Sequence, residues 1–210
     1  MSDNKKTPGL VYIGSMILYG PRAKPLEGVE YICVNATSAQ RKLNQYRIAF
    51  SPMTFKPFKG FANLEAWWQA HKNYKDINRS KQLKYWRNIK KAKRRYPNSK
   101  NKRVMFYQLG DSRRMNYIES RKEAYVTGYY EKIKDEPELK KLIQLHKQGK
   151  NIIVYDFDGP YQGQTPVALE VTEKLLREKI NDPERSFGHG YVIAGLIKGI
   201  PIDSYIGDKK

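Results

Sequence analysis

Cysteine is almost missing from this chain of 210 residues; the only one is Cys33. A lone thiol excludes a disulfide framework and a Cys-rich zinc site, and no disulfide-linked partner is expected. Histidine is scarce too: His71, His146 and His189 lie too far apart to form a metal motif by spacing. No metal and no cofactor are therefore expected. No apolar run approaches the roughly 20 residues that cross a bilayer, so a membrane partner is not expected either. The opening MSDNKKTPGL is followed by no apolar region long enough for a secretory signal. Acid is the last shortage, with 21 Asp+Glu against 40 Lys+Arg and a net charge of +19. Aromatic residues, by contrast, are plentiful at 12%, which argues against disorder. The composition points to an intracellular protein with an anionic partner, nucleic acid or nucleotide phosphate.

The excess charge is concentrated. Residues 72–103 hold 14 Lys/Arg and one acid, Asp76, a net of +13. A solvated helix face explains a mixture of signs, but a block of one sign repels itself at i,i+4 spacing. Within SKQLKYWRNIKKAKRRYP, Leu83, Trp86, Ile89 and Lys93 or Ala92 fall at helical spacing. The expectation is a helix capped by Ser80, stopped by Pro97 and docked along that stripe. Lys84, Arg87, Lys90, Lys91, Arg94 and Arg95 would track phosphates, with Tyr85 among them to stack on a base or ribose. A basic amphipathic helix can also meet an anionic membrane or an acidic protein, but this apolar stripe is short and has no cluster of large aliphatics.

Element by element, residues 1–9 are a polar, flexible lead-in. LVYIGSMIL (10–18) and VEYICVNAT (29–37) read as strands, residues 38–46 as a short helical connection and YRIAFS as a third strand. Leu64, Trp67, Trp68 and His71 mark a helix face with Asn63 as cap. RVMFYQL reads as a strand, MNYIESRKEAYVTGYYEKIKDEP as mostly helix, and PELKKLIQLHKQGKN as a helix from Pro137 to Gly149. NIIVYDFDGP reads as a buried strand ending in a turn, with VALEVTEKLLREKIND and YVIAGLIKGIP as helices. With no repeat and no low-complexity linker, the fold class expected is α+β. It would be a single mixed, helix-rich domain over 10–210 with a small sheet and a protruding basic helix.

Three constellations carry candidate chemistry. In DFDGP, Asp156 and Asp158 close an apolar strand. A haloacid-dehalogenase-type phosphatase reading fails on context, because that motif belongs to a first strand and too little chain follows here. Two acids capping a Gly-Pro turn, or a different carboxylate site, both stay open. In FGHGYV, Gly188 and Gly190 let backbone approach a ligand at a helix start, and His189 could donate to phosphate or move a proton. A tight entry turn explains the same glycines. Glu65, Gln69 and Lys72 lie at i, i+4 and i+7; they form either a solvated row or, if both helix sides are covered, a buried carboxylate with catalytic character.

The helix FKGFANLEAWWQAHK resembles the signature helix of the NADAR superfamily, with Glu65, Trp68, Gln69, Ala70 and Lys72 fitting its pattern over about 15 residues. DFDGP and FGHG follow in the family's order with looser spacing, and the basic block is an addition to the family pattern. FSPMT, DFDGP and FGHGYV together are similar to a group of phage and large-DNA-virus proteins, which would place the chain in a host cytoplasm or nucleoid. The resemblance implies an N-glycosidase acting on nucleotides, ADP-ribose conjugates or modified nucleic acid. Glu65, Asp156 and Asp158 would stabilise oxocarbenium character and activate water. Lys72 would contact phosphate or the leaving group, Trp68 or Tyr191 would stack on a base, and Gln69, Gly188, His189 and Gly190 would complete the substrate site. The alternative is a non-enzymatic nucleic-acid-binding protein that uses residues 72–103.

Overall fold

The structure is a computed structural model that describes residues 7–19, 26–37 and 44–207. The fold is α+β, as the alternation of segments implied. It packs as two compact units: residues 1–51 with 133–210, and residues 52–132 between them in sequence.

The first unit opens with strand β1 (Val11–Ser15), a 3-10 turn over Met16–Leu18, strand β2 (Ile32–Asn35) and helix α1 (Gln45–Phe50). The expected strand YRIAFS is thus a helix. Asn44 caps it, its side chain accepting from Tyr46 N at 2.8 Å, and Tyr46 stacks on Phe50 one turn on. That i,i+4 aromatic pair and the cap outweigh the single β-branched Ile48, which is exposed. Of the expected helical connection, residues 38–43 lie outside the described residues.

The second unit carries helix α2 (Leu64–His71), strand β3 (Lys72–Tyr74), helix α3 (Arg79–Arg87) and strand β4 (Val104–Tyr107). Helix α4 (Tyr117–Ser120) then widens into a π turn over Arg121–Val126 and continues as α5 (Thr127–Ile133). Asn63 caps α2 as expected, accepting from Ala66 N at 2.8 Å. Trp67 lies edge-on to Phe58 and His71, and Trp68 stacks on Tyr107 at 5.3 Å. Gly128 is explained by this core: a Cβ there would stand 2.6 Å from Trp67 Cζ3. β3 and β4 pair antiparallel, Lys72 opposite Tyr107.

The basic helix is the second correction. It starts one residue before Ser80, capped by Asn78, which accepts from Lys81 N at 3.0 Å. It ends at Arg87, ten residues short of Pro97. Trp86 is fully buried and Ile89 nearly so. Beyond them Lys90, Lys91, Lys93, Arg94 and Arg95 supply no second apolar turn, and their mutual repulsion opposes helix. The remainder of the block runs as turns, with Asn98 and Asn101 in the left-handed region (φ 63° each), where asparagine is tolerated.

The chain then returns to the first unit through helix α6 (Pro137–Lys147), β5 (Ile152–Asp156), β6 (Tyr161–Gln162), β7 (Thr165–Pro166), β8 (Ala168–Glu170), α7 (Glu173–Asn181), α8 (His189–Lys198) and α9 (Asp203–Ile206). A third correction falls here. The helix expected from Val167 begins only at Glu173, behind a Thr172 cap on Leu175 N, and Ala168–Glu170 is strand. Leu169 sits opposite Ile13 of β1, so its apolar side serves a sheet.

The main sheet has the order β2-β5-β1-β8, with β5 parallel to both neighbours and β8 antiparallel to β1. A central parallel strand is covered on both faces, which is why IIVYD is almost continuously apolar and wholly buried. Tyr12, Ile153 and Tyr155 form one face with Leu10, Met16 and Leu18 against them. Helix α8 packs on β5 and β1.

Candidate functional site

The two units each hold part of the expected site. In the first, the C-terminal end of β5 delivers Asp156 beneath the start of α8. The carboxylate is 1% exposed. Gly190 N donates to its Oδ2 at 2.5 Å, Asp158 N donates to its Oδ1 at 3.2 Å, and His189 Nδ1 lies 3.4 Å from Oδ2. The other ring nitrogen, His189 Nε2, meets Ala36 O at 2.9 Å. The helix N-terminus therefore already holds an anion, and that anion belongs to the chain.

The FGHG glycines follow from the same contact. A Cβ on Gly188 would fall 2.4 Å from Asp156 Oδ2, and one on Gly190 2.7 Å from Asp156 Cβ. Close approach to a carboxylate, and no positive φ, is what these positions require. Asp156, Asp158, Gly188, His189 and Gly190 are thus brought together. Asp158 is exposed and lines a cleft of about 490 Å³ with Phe157, Tyr161, Asp182, Arg185 and Tyr191. Burial, and then the negative charges of Asp156, Asp158 and Asp182, push the Tyr191 hydroxyl well above its ordinary value, so it stays protonated. The Tyr191 ring is 2% exposed and stacks on Phe187.

In the second unit α2 delivers Glu65, Trp68 and Gln69, and Lys72 follows as the first residue of β3. Gln69 Nε2 donates to Glu65 Oε1 at 2.8 Å, the i,i+4 link the spacing implied. Glu65 is half-buried and Gln69 buried. Burial pulls the Lys72 ammonium below the usual lysine range; the Glu65 carboxylate opposes that shift and Arg95 adds to it. Arg95, from the turn-rich half of the basic block, therefore reaches the electrostatic neighbourhood of the Glu65–Gln69–Lys72 row. Trp68 is 9% exposed, its ring against Tyr107 and Tyr125.

No family model, curated protein or solved structure matches this chain. Its chemistry has to be read from its own atoms. Among the described residues, no group of three or more His, Cys, Asp or Glu side chains is placed to hold a metal ion, and no helix is long and apolar enough to cross a membrane. What α2 and the residue after it present is a carboxylate, Glu65, fixed by Gln69 and close to the Lys72 ammonium. Lys84, Arg87, Lys90, Lys91, Arg94 and Arg95 are all exposed, whereas Tyr85 is half-buried, edge-on to Trp86 and Tyr96. The exposed aromatic near the basic residues is a different one, Phe55, at 49%. FSPMTFKPFKG offered a signal for it, an aromatic between two prolines outside any periodic segment, where no helix or strand stripe would bury it.

Proposed function

We propose that the chain is an N-glycosidase acting on a nucleotide, an ADP-ribose conjugate or modified nucleic acid, with Glu65 as its principal carboxylate. The observation that carries this reading is the Gln69-to-Glu65 hydrogen bond of 2.8 Å beside a partly buried Lys72. Scission of a ribosyl C–N bond puts positive charge on C1′ and the ring oxygen, which a fixed carboxylate stabilises. Water adds its hydroxyl to C1′, and its proton leaves with the base. Lys72 and Arg95 would hold phosphate, and Lys72, whose ammonium burial makes readier to give up a proton, would relay that one proton, giving its own to the departing base and taking up the one the water releases. Asp156 and Asp158 belong to the other unit, so the reading rests on Glu65 without them.

A panel of nucleotides and ADP-ribosylated oligonucleotides, followed for release of base or ADP-ribose, tests it. Glu65→Gln should lower turnover by roughly 10²- to 10⁴-fold with an unchanged melting temperature. Full turnover in that variant would remove the site.

A second reading is nucleic-acid binding without bond cleavage. It is favoured by the six exposed basic side chains at 84, 87, 90, 91, 94 and 95 and by the use of Asp156 within the fold. It predicts tight, salt-sensitive binding and no product on the same panel.

A further inference from the structure

The second unit contains an open cleft of about 440 Å³ where α3 ends, lined by Phe55, Pro57, Ala62, Arg87, Asn88, Ile89 and Lys90. Its make-up is that of an apolar floor with a basic rim. Phe55 is 49% exposed, a high value for a phenyl ring, and Ile89 is buried beneath the cleft. Arg87, Asn88 and Lys90 are exposed on the rim. Arg87 is also positioned: its guanidinium carbon sits 5.8 Å above the Phe61 ring, a cation–π contact that holds the side chain at the cleft edge. Termination of α3 at Asn88 creates the arrangement, because the turn sends Ile89 inward and Lys90 outward within two residues.

We infer that this cleft takes one unpaired nucleotide of a single-stranded nucleic acid, its base stacked on Phe55 and its flanking phosphates on Arg87 and Lys90. Charge complementarity selects the occupant. Among the described residues the rim carries two cations and no acid, and it is continuous in sequence with the block of +13 over residues 72–103. A purely apolar partner would leave Arg87 and Lys90 unanswered, and a bare polyanion would leave Phe55 unused. An unpaired nucleotide answers both, because its base has an open π-face and its phosphates are anionic. A duplex keeps its bases stacked inside and offers phosphates only.

The inference rests on the chain binding nucleic acid at all, and the experiment separates the two. Fluorescence anisotropy with a labelled 12-mer of deoxythymidine and with a 12-base-pair duplex is measured for wild type, Phe55→Ala, Phe55→Trp and the double variant Arg87→Gln/Lys90→Gln. Phe55→Ala should weaken the single strand by roughly 5- to 150-fold, leave its salt dependence unchanged and spare the duplex. Phe55→Trp should restore affinity and, above the emission of Trp67, Trp68 and Trp86 that wild type already has, add a tryptophan contribution that the single strand quenches. The double charge variant should weaken both ligands and flatten the salt dependence. If wild type binds both and Phe55→Ala changes neither, or changes both equally, the stacking site is overturned while nucleic-acid binding stands. If wild type binds neither, both are overturned.

Discussion

His71 shows how a single side chain can set a pH limit. It is 4% exposed, meets Trp67 O through Nδ1 at 3.0 Å and packs edge-on to the Trp67 ring. Burial depresses its pKa to about 4, with Arg79 and Lys59 adding to the effect and the Trp67 hydrogen bond opposing it. The unfolded chain takes up this proton near pH 6.5, the native chain only near pH 4, so stability falls as pH drops through that window. The cost by pH 4 is on the order of 3 kcal/mol. His71→Gln should flatten the urea midpoint between pH 7 and 4. An unchanged slope in that variant would assign the acid sensitivity elsewhere. Residue types at the candidate site were legible in the sequence: Glu65 and Gln69 do bond at i,i+4, and the FGHG glycines do mark a close approach. What they approach was not legible. Asp156 lies 34 residues from Gly190, and no local spacing announces that a helix start will hold its own chain's carboxylate.

At the scale of elements, α3 is the informative case. Its apolar stripe predicted a helix well, and its C-terminal limit badly. Periodicity continued through Lys93, but only Trp86 and Ile89 had partners to bury against, and helix beyond the last buried anchor would have had to form from like charges alone. The cap was displaced by two residues, from Ser80 to Asn78. Asn78→Ala should cost about 1 kcal/mol of stability and Ser80→Ala less than about 0.5 kcal/mol, measured by denaturant unfolding; the reverse order would restore the serine cap. YRIAFS went the other way because aromatic content reads as strand locally, while the Tyr46–Phe50 stack that makes it a helix is visible only at a spacing of four. Strands buried on both faces, such as IIVYD, were plain from their continuous apolar run.

For the whole molecule, the charge gradient decides how partners are met. Binding that runs through residues 72–103 releases counterions in proportion to the phosphates neutralised. Replacing Arg87, Lys90, Lys91, Arg94 and Arg95 by glutamine should reduce the slope of log K against log salt by up to about 0.7 for each single-strand phosphate that is no longer neutralised. Titration of wild type and variant across salt concentrations gives both slopes, and equal slopes would place the phosphate-binding residues elsewhere.

The insertion of residues 52–132 between the two parts of the sheet unit has a consequence for synthesis. The sheet neighbours of β1 are β5 and β8, and Leu10 N reaches Asn151 Oδ1 across 141 residues. At about 5–20 residues per second, the ribosome needs roughly 7 to 30 s between making that first strand and making its partner. Throughout that interval VYIGS is an apolar ribbon with both edges unsatisfied. Residues 52–132 are all made about 20 residues before β5 begins, roughly 1 to 4 s at the same rate, and can assemble from neighbours in sequence. The nascent chain therefore carries a finished basic unit ahead of an unfinished sheet, and its exposure to aggregation or chaperone capture is set by elongation rate.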